Sequence, residues 1–162
     1  MKKFSAHYIF PITTAPIRRG TVKTDDSGKI TELTDPGGNF NEEAGLECHN
    51  GIICPEFVKT SQAISIVDFV RSVPELNKLH VVSDIDFQDN RSILKLISQL
   101  QEKSISFIEL VGIFTIRLAK FTDLSSVKGS IEPGKTPGLL AISGIDLKKM
   151  RLRPAYKLKK LI

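Results

Sequence analysis

The chain has 162 residues and a formal net charge of +5, with 41% hydrophobic and 25% charged residues. These values are typical of one globular domain, and the length excludes a complete (β/α)8 barrel, which takes about 250 residues. No apolar run approaches the roughly 20 residues that span a bilayer, and no signal peptide is evident. We therefore expect a cytoplasmic protein without a membrane segment. Its two cysteines, Cys48 and Cys54, make no disulfide framework.

The first third of the chain predicts strands. Alternation over residues 3–10 predicts a strand with one face formed by Phe4, Ala6, Tyr8 and Phe10. Residues 25–28 predict a hairpin loop, because Asp and Ser bond to their own backbone and Gly adopts positive φ. A short apolar strand is expected over 50–58.

The middle of the chain predicts helices. Residues 64–73 form an amphipathic pattern that Pro74 ends. Asn90 is expected to cap a second helix whose apolar stripe is Ile93, Leu94, Ile97 and Leu100. Ser106 and Glu109 form a capping box, which opens a helix to about Lys120. That helix is apolar nearly all round, so it needs cover on most sides.

The last third returns to strands. Pro-Gly pairs at 133–134 and 137–138 predict two turns, followed by an apolar strand over 139–143 and a turn over 144–146. Seven basic residues and one acid over 146–162 give this tail a charge of +6. The tail predicts a strand over 151–161 with one buried and one solvated face, because apolar residues alternate at Leu152, Tyr156 and Leu158. We prefer this to a nucleic-acid site.

The order of strands, helices and strands predicts a single α+β domain. The simplest burial of the strand faces packs the two chain ends together in one sheet or sandwich, with two or three helices to one side.

Two segments resemble the amidohydrolase superfamily, metal-dependent hydrolases that include cytosine and guanine deaminases. Residues 129–139 (Gly-Ser-Ile-Glu-Pro-Gly-Lys-Thr-Pro-Gly-Leu) are similar to its C-terminal motif, and 50–58 (Asn-Gly-Ile-Ile-Cys-Pro-Glu-Phe-Val) to its entry into the barrel. The resemblance implies a composite β-sandwich from residues 1–60 and 125–162, with 61–124 as the helical remnant of a barrel insertion.

The departures from the family pattern concern the metal. The family's His-x-His pair falls at Ser61 and Ala63, and neither residue is a useful zinc ligand. The segment around Asp84 resembles the last barrel strand with its catalytic Asp. The resemblance therefore implies one vestigial metal ligand, Asp84, and we expect no catalytic residue and no cofactor.

The three histidines do not replace the missing ligands. His80 and Asp84 would share a strand face but lie roughly 13 Å apart by strand rise. His49 is next to Cys48, and sequence neighbours seldom chelate one ion, so a loop-side structural role is expected. His7 is expected to face solvent or an edge.

Three functions follow from these patterns. The favoured one is a non-catalytic amidohydrolase-like remnant, a pseudoenzyme that acts as a binding or self-assembling module. The apolar helix from Ser106 would need cover, so we predict a homo-oligomer, most simply a two-fold dimer. The alternative is a hydrolase of non-peptide C–N bonds whose zinc or iron takes ligands from a partner chain. Nucleic-acid binding through the basic tail is the least expected.

Overall fold

Strands from both ends of the chain form one sheet, and the helices between them pack on one of its faces. The computed structural model describes residues 1–40, 42–59, 63–77 and 86–162. Its mixed sheet and helices confirm the predicted α+β class.

Seven strands make up the sheet among the described residues: β1 Lys2–Ile9, β2 Ile17–Arg18, β3 Thr21–Thr24, β4 Ile30–Thr34, β5 Leu46–Pro55, β6 Leu139–Asp146 and β7 Arg151–Lys160. Their order is β4-β3-β1-β5-β6-β7, and β2 pairs with β1. β1 and β5 run parallel, whereas the other pairs are antiparallel. The early strands therefore meet the late strands at the β5–β6 pair.

The helices lie between β5 and β6: α1 Ala63–Ser72, α2 Pro74–Asn77, α3 Asn90–Leu100, a 3-10 turn Gln101–Lys103, α4 Phe107–Gly112, a π-helical turn Ile113–Arg117 and α5 Leu118–Phe121. α4, the π-helical turn and α5 follow one another without a break, and we call them the 107–121 helix. Within the described ranges, no helix is both long and apolar enough to cross a membrane.

The sheet separates two hydrophobic cores because neighbouring strand residues point to opposite faces. We call the larger one the helix-side core; its fully buried aromatic rings are Phe10, Phe57, Phe69, Phe107 and Phe114. We call the smaller one the sheet-side core; it consists of Phe4, Ala6, Ile9, Val22, Ile30, Ile53, Ile131, Leu139 and Ala141.

Both edges of the sheet approach the loop that precedes β6, and this closes the sheet-side core. The Ile30 amide donates to the Lys135 carbonyl, and the Gly134 amide donates to the Ile30 carbonyl, each at 2.8 Å. At the other end, the Leu161 amide donates to the Leu139 carbonyl at 2.9 Å. The loop therefore joins the first hairpin to the final strands.

The local turn signals are confirmed. β3 and β4 pair as an antiparallel hairpin, in which the Asp25 carboxylate accepts the Ser27 amide at 2.9 Å and Gly28 has a φ of +83°. Gly134 and Gly138 also have positive φ. Ser106 caps α4 by accepting the Glu109 amide at 3.2 Å.

Two predictions in β1 and α3 are wrong by one residue. The pairing of β1 with β5 shifts between Ala6 and Tyr8, where two steps along β1 match three steps along β5, and the β1 side chains before and after the shift face opposite sides of the sheet. Phe4 and Ala6 therefore join the sheet-side core, whereas Tyr8 and Phe10 pack on the helix-side core. The cap of α3 is Asp89, whose carboxylate accepts two amides, and not Asn90.

Two predicted strand boundaries are also wrong. β5 begins at Leu46 rather than at residue 50, and β6 continues to Asp146 through the predicted turn. Gly144 explains the second error: it has a φ of +78°, and a Cβ there would lie 2.7 Å from the Tyr156 Cα. The missing side chain lets β7 pass close beside a bulge, so the strand continues and the turn follows Asp146.

Candidate functional site

Most of the residues predicted to mark a metal site fall outside the part of the chain that the structure describes. Ser61, His80 and Asp84 are outside the described residues, and Ala63 is the first residue of α1. Over the described ranges, no group of three His, Cys, Asp or Glu side chains could hold a metal ion. The vestigial ligand at Asp84 therefore stays a prediction.

His7 is exposed and supports the sheet. Its Nδ1 accepts the Gly51 amide at 3.0 Å, where the pairing of β1 and β5 shifts. The predicted solvent-facing position is confirmed.

His49 lies within β5, so the predicted loop-side position is wrong. Because neighbouring strand residues point to opposite faces, His49 and Cys48 do not converge. Burial lowers the pKa of His49, Lys159 lowers it further, and Glu47 acts in the opposite direction. The ring lies 6.3 Å from Phe4 between centroids, and burial favours its neutral form.

The two cysteines are free and lie in different environments. Cys48 is exposed, whereas Cys54 is buried in the helix-side core. Burial raises the pKa of the Cys54 thiol far above its ordinary value. Since the thiolate is the reactive form, Cys54 is a packing residue rather than a nucleophile.

The basic tail forms the edge strand β7. Leu152 is buried and both Tyr156 and Leu158 pack against the helix-side core, which confirms the predicted buried face. Several basic side chains of the strand are engaged in ion pairs: Arg151 with Glu102, Arg153 with Asp146, and Lys160 with Glu56.

An apolar cavity of about 290 Å³ lies between the 107–121 helix and the loop after β1. We call it the helical groove; it is lined by Phe10, Ile12, Thr14, Pro16, Ile108, Glu109, Gly112, Ile116 and Arg117. Phe10 is buried in the core, whereas Ile108 is 38% exposed. The groove therefore brings apolar side chains to the surface above the helix-side core.

Ile12 is held in this groove in a strained backbone conformation. Its φ is +79°, a region that costs a residue with a Cβ about 1–2 kcal/mol. Such strain persists only where the surrounding structure fixes it, and it often occurs at functional positions. Ile12 also packs against the helix-side core, so the core holds a strained residue at a surface opening.

A second cavity, of about 380 Å³, lies where both chain ends approach the loop before β6. We call it the lysine cleft; it is lined by Lys2, Asp25, Asp26, Ser27, Gly28, Glu56, Lys128, Thr136, Pro137, Gly138, Lys160 and Ile162. Three lysine side chains and three acidic side chains meet here, and they come from distant parts of the sequence.

Glu56 is the anchor of this cleft and was not identified from the sequence as a binding residue. Its carboxylate accepts Asn90 Nδ2 at 2.8 Å and pairs with Lys59 and Lys160, each at 3.1 Å. Burial by itself raises the pKa of Glu56, but these three partners outweigh burial and hold the pKa below its ordinary value. Two of the partners are 34 and 104 residues away, so no local signal identifies this network.

No family model, curated protein or solved structure matches the chain. The resemblance to amidohydrolases therefore stays a prediction. The helical groove and the lysine cleft are the features from which function can be inferred.

Proposed function

We propose that the protein is a non-catalytic module that assembles into a two-fold dimer through the helical groove. The observation that supports this most is the self-complementary order of apolar and charged residues along the 107–121 helix. A two-fold interface uses the same patch on both subunits, so the patch must match its own rotated copy.

The apolar residues of the groove have this symmetry. Ile108 and Ile116 both line the groove and are equally spaced, four residues on each side of Gly112. When two copies of the helix pair antiparallel about Gly112, Ile108 of one copy meets Ile116 of the other. A Cβ at Gly112 would lie 3.9 Å from the Ile12 side chain, with no other described atom within 4 Å, so the helix surface is open beside Ile12.

The charged residues of the groove are also symmetric, about a centre one residue further along the helix. Glu109 and Arg117 line the groove and are spaced four residues on each side of Ile113. The antiparallel arrangement about Gly112 leaves Glu109 of one copy two residues, or about 3 Å of helix rise, from the position opposite Arg117 of the other, a gap that these long side chains span, twice per dimer. Arg117 also donates to Glu75 at 3.4 Å, and its side chain is 42% exposed. Its guanidinium carries five N–H donors, so one internal contact leaves donors for a second carboxylate.

The non-catalytic part of the proposal rests on the sequence. Ser61 and Ala63 stand where the resemblance places the family's two histidines, and neither side chain is a useful zinc ligand. Metal analysis of the protein purified without chelator tests this point. We expect well under one zinc or iron per chain, whereas about one per chain would support the alternative of a metal-dependent hydrolase.

Sedimentation equilibrium at micromolar concentration tests the dimer. We expect the parent protein to have twice the 18.0 kDa chain mass. Ile108→Glu places two buried charges at the interface and should give a monomer. Val67→Glu makes the same change at an apolar residue that is 45% exposed outside the groove, and it should stay dimeric. A monomeric parent, or a dimeric Ile108→Glu variant, would overturn the proposal.

A further inference from the structure

We propose that the lysine cleft is a binding site for a small phosphate monoester. This inference goes beyond the proposed dimer, because the cleft and the helical groove have no lining residue in common. The two proposals can therefore fail separately.

The acidic side chains that line the cleft are hydrogen-bonded, screened or compensated, so they do not repel an anionic ligand. Asp25 accepts the Ser27 hydroxyl and the amides of Ser27 and Lys29, so it is directed towards its own turn. The Asp26 side chain is 93% exposed, where water screens its charge. Glu56 is compensated by two lysines and an amide donor.

The lysines of the cleft retain free charge. Among the described residues, neither Lys2 nor Lys128 forms an ion pair, and both residues line the cavity. Lys160 bridges to Glu56 from the same cavity and is 55% exposed. Two lysines without an ion pair and a third that can share its donors therefore line one cavity. Lysine ammonium groups bind phosphate oxygens as compact point charges.

The size and lining of the cleft indicate an ester rather than a bare ion. A volume of about 380 Å³ lies in the range of small-molecule sites, about 300–1,000 Å³, and exceeds what one phosphate group fills. Pro137 and Ile162 supply apolar wall for the organic part, and the Thr136 residue lines the same wall. A phosphate dianion also matches two unpaired ammonium groups better than a monocarboxylate does.

Titration followed by amide chemical shifts tests the site. The probes are glycerol 3-phosphate, inorganic phosphate and glycerol, at constant ionic strength. We expect saturable shifts at Gly28, Thr136 and Gly138 with glycerol 3-phosphate, weaker binding of inorganic phosphate, and none of glycerol. Binding of inorganic phosphate without binding of the ester, or no saturable shift at all, would overturn the proposal.

A pair of double variants provides the control. Lys2→Gln with Lys128→Gln should weaken binding of glycerol 3-phosphate about tenfold, as expected for two exposed charge contacts. Lys148→Gln with Lys157→Gln removes the same charge from exposed positions outside the cleft and should leave binding unchanged. An equal loss in both pairs would show that general charge, rather than this cleft, attracts the probe.

Discussion

The helical groove and the lysine cleft are similar in volume but differ in construction. The groove is formed by two segments, 10–16 and 108–117, and it opens from the helix-side core. The cleft is assembled from several distant segments where both ends of the sheet meet the loop before β6. The groove therefore depends on one helix and its packing, whereas the cleft depends on the closure of the whole sheet.

Because of this difference, the two sites bind their partners by different forces. Association through the groove is driven by burial of apolar surface. Added salt screens only the charges at the rim of the groove. Binding in the cleft is driven by exposed lysine charges, so added salt should weaken it strongly. Mutations that perturb one core or the other test whether the two sites belong to one cooperative unit.

The largest effect is expected from truncating an aromatic ring in each core. Phe114 is fully buried and lies 6.2 Å from Phe87 between ring centroids, so Phe114→Ala should cost about 3–5 kcal/mol. Phe4→Ala in the sheet-side core should cost a similar amount. Urea unfolding followed by circular dichroism should show one transition for both variants. Separate transitions would show that the two halves are not one unit.

Gly51 tests the pairing of β5 with β6, where the early strands meet the late strands. Its φ is +89°, and a Cβ there would overlap the Ile142 carbonyl oxygen. Gly51→Ala should therefore cost about 3 kcal/mol in the free energy of unfolding. Gly134→Ala has a similar φ of +93° with no atom within 4 Å of the new Cβ, and should cost only about 1 kcal/mol. Equal losses of stability in the two variants would indicate that the positive φ, and not the overlap with Ile142, causes the loss at Gly51.

A buried amide joins the end of α3 to the basic strand. Gln101 donates to the Leu152 carbonyl at 2.8 Å and accepts the Leu152 amide at 3.0 Å. Gln101→Leu leaves both backbone groups without a partner and should cost about 2 kcal/mol. Gln99→Leu at an exposed position of the same helix should change thermal stability little. A stable Gln101→Leu variant would show that water replaces the amide.

The smallest effect is a pH dependence at the cleft. The folded pKa of Glu56 is lowered, so its contribution is present above the unfolded pKa and is lost as pH falls through the folded pKa. Glu56→Gln should destabilise the protein by about 1 kcal/mol at pH 7, and this difference should shrink below about pH 4.5. Urea unfolding from pH 3 to 7 measures it. Glu42→Gln, at an exposed residue, should show no such change.

Features set by neighbouring residues could be predicted from the sequence. The 25–28 hairpin loop, the two Pro-Gly turns and the Ser106 cap depend on short-range hydrogen bonds and on the φ of glycine, and the structure confirms them. The sequence also predicts that the 107–121 helix is apolar nearly all round and needs cover, but it does not predict the groove itself.

Features set by the partner strand could not be predicted in the same way. The shift after Ala6 and the bulge at Gly144 arise from pairing with strands far along the chain, and sequence alternation alone cannot locate them. The lysine cleft is a stronger case, because Lys2, Glu56, Lys128 and Lys160 meet only when the sheet closes.

Antiparallel pairing of two copies of the chain through the helical groove is tested most directly by a charge-exchange experiment. Glu109→Arg and Arg117→Glu should each sediment as monomers, because each places like charges opposite one another in its own dimer. An equal mixture should form a heterodimer of twice the chain mass, since one of its two Glu109–Arg117 contacts then joins the exchanged charges and the other keeps the original pair. A parent dimer that both variants retain, or a mixture that stays monomeric, would contradict the account.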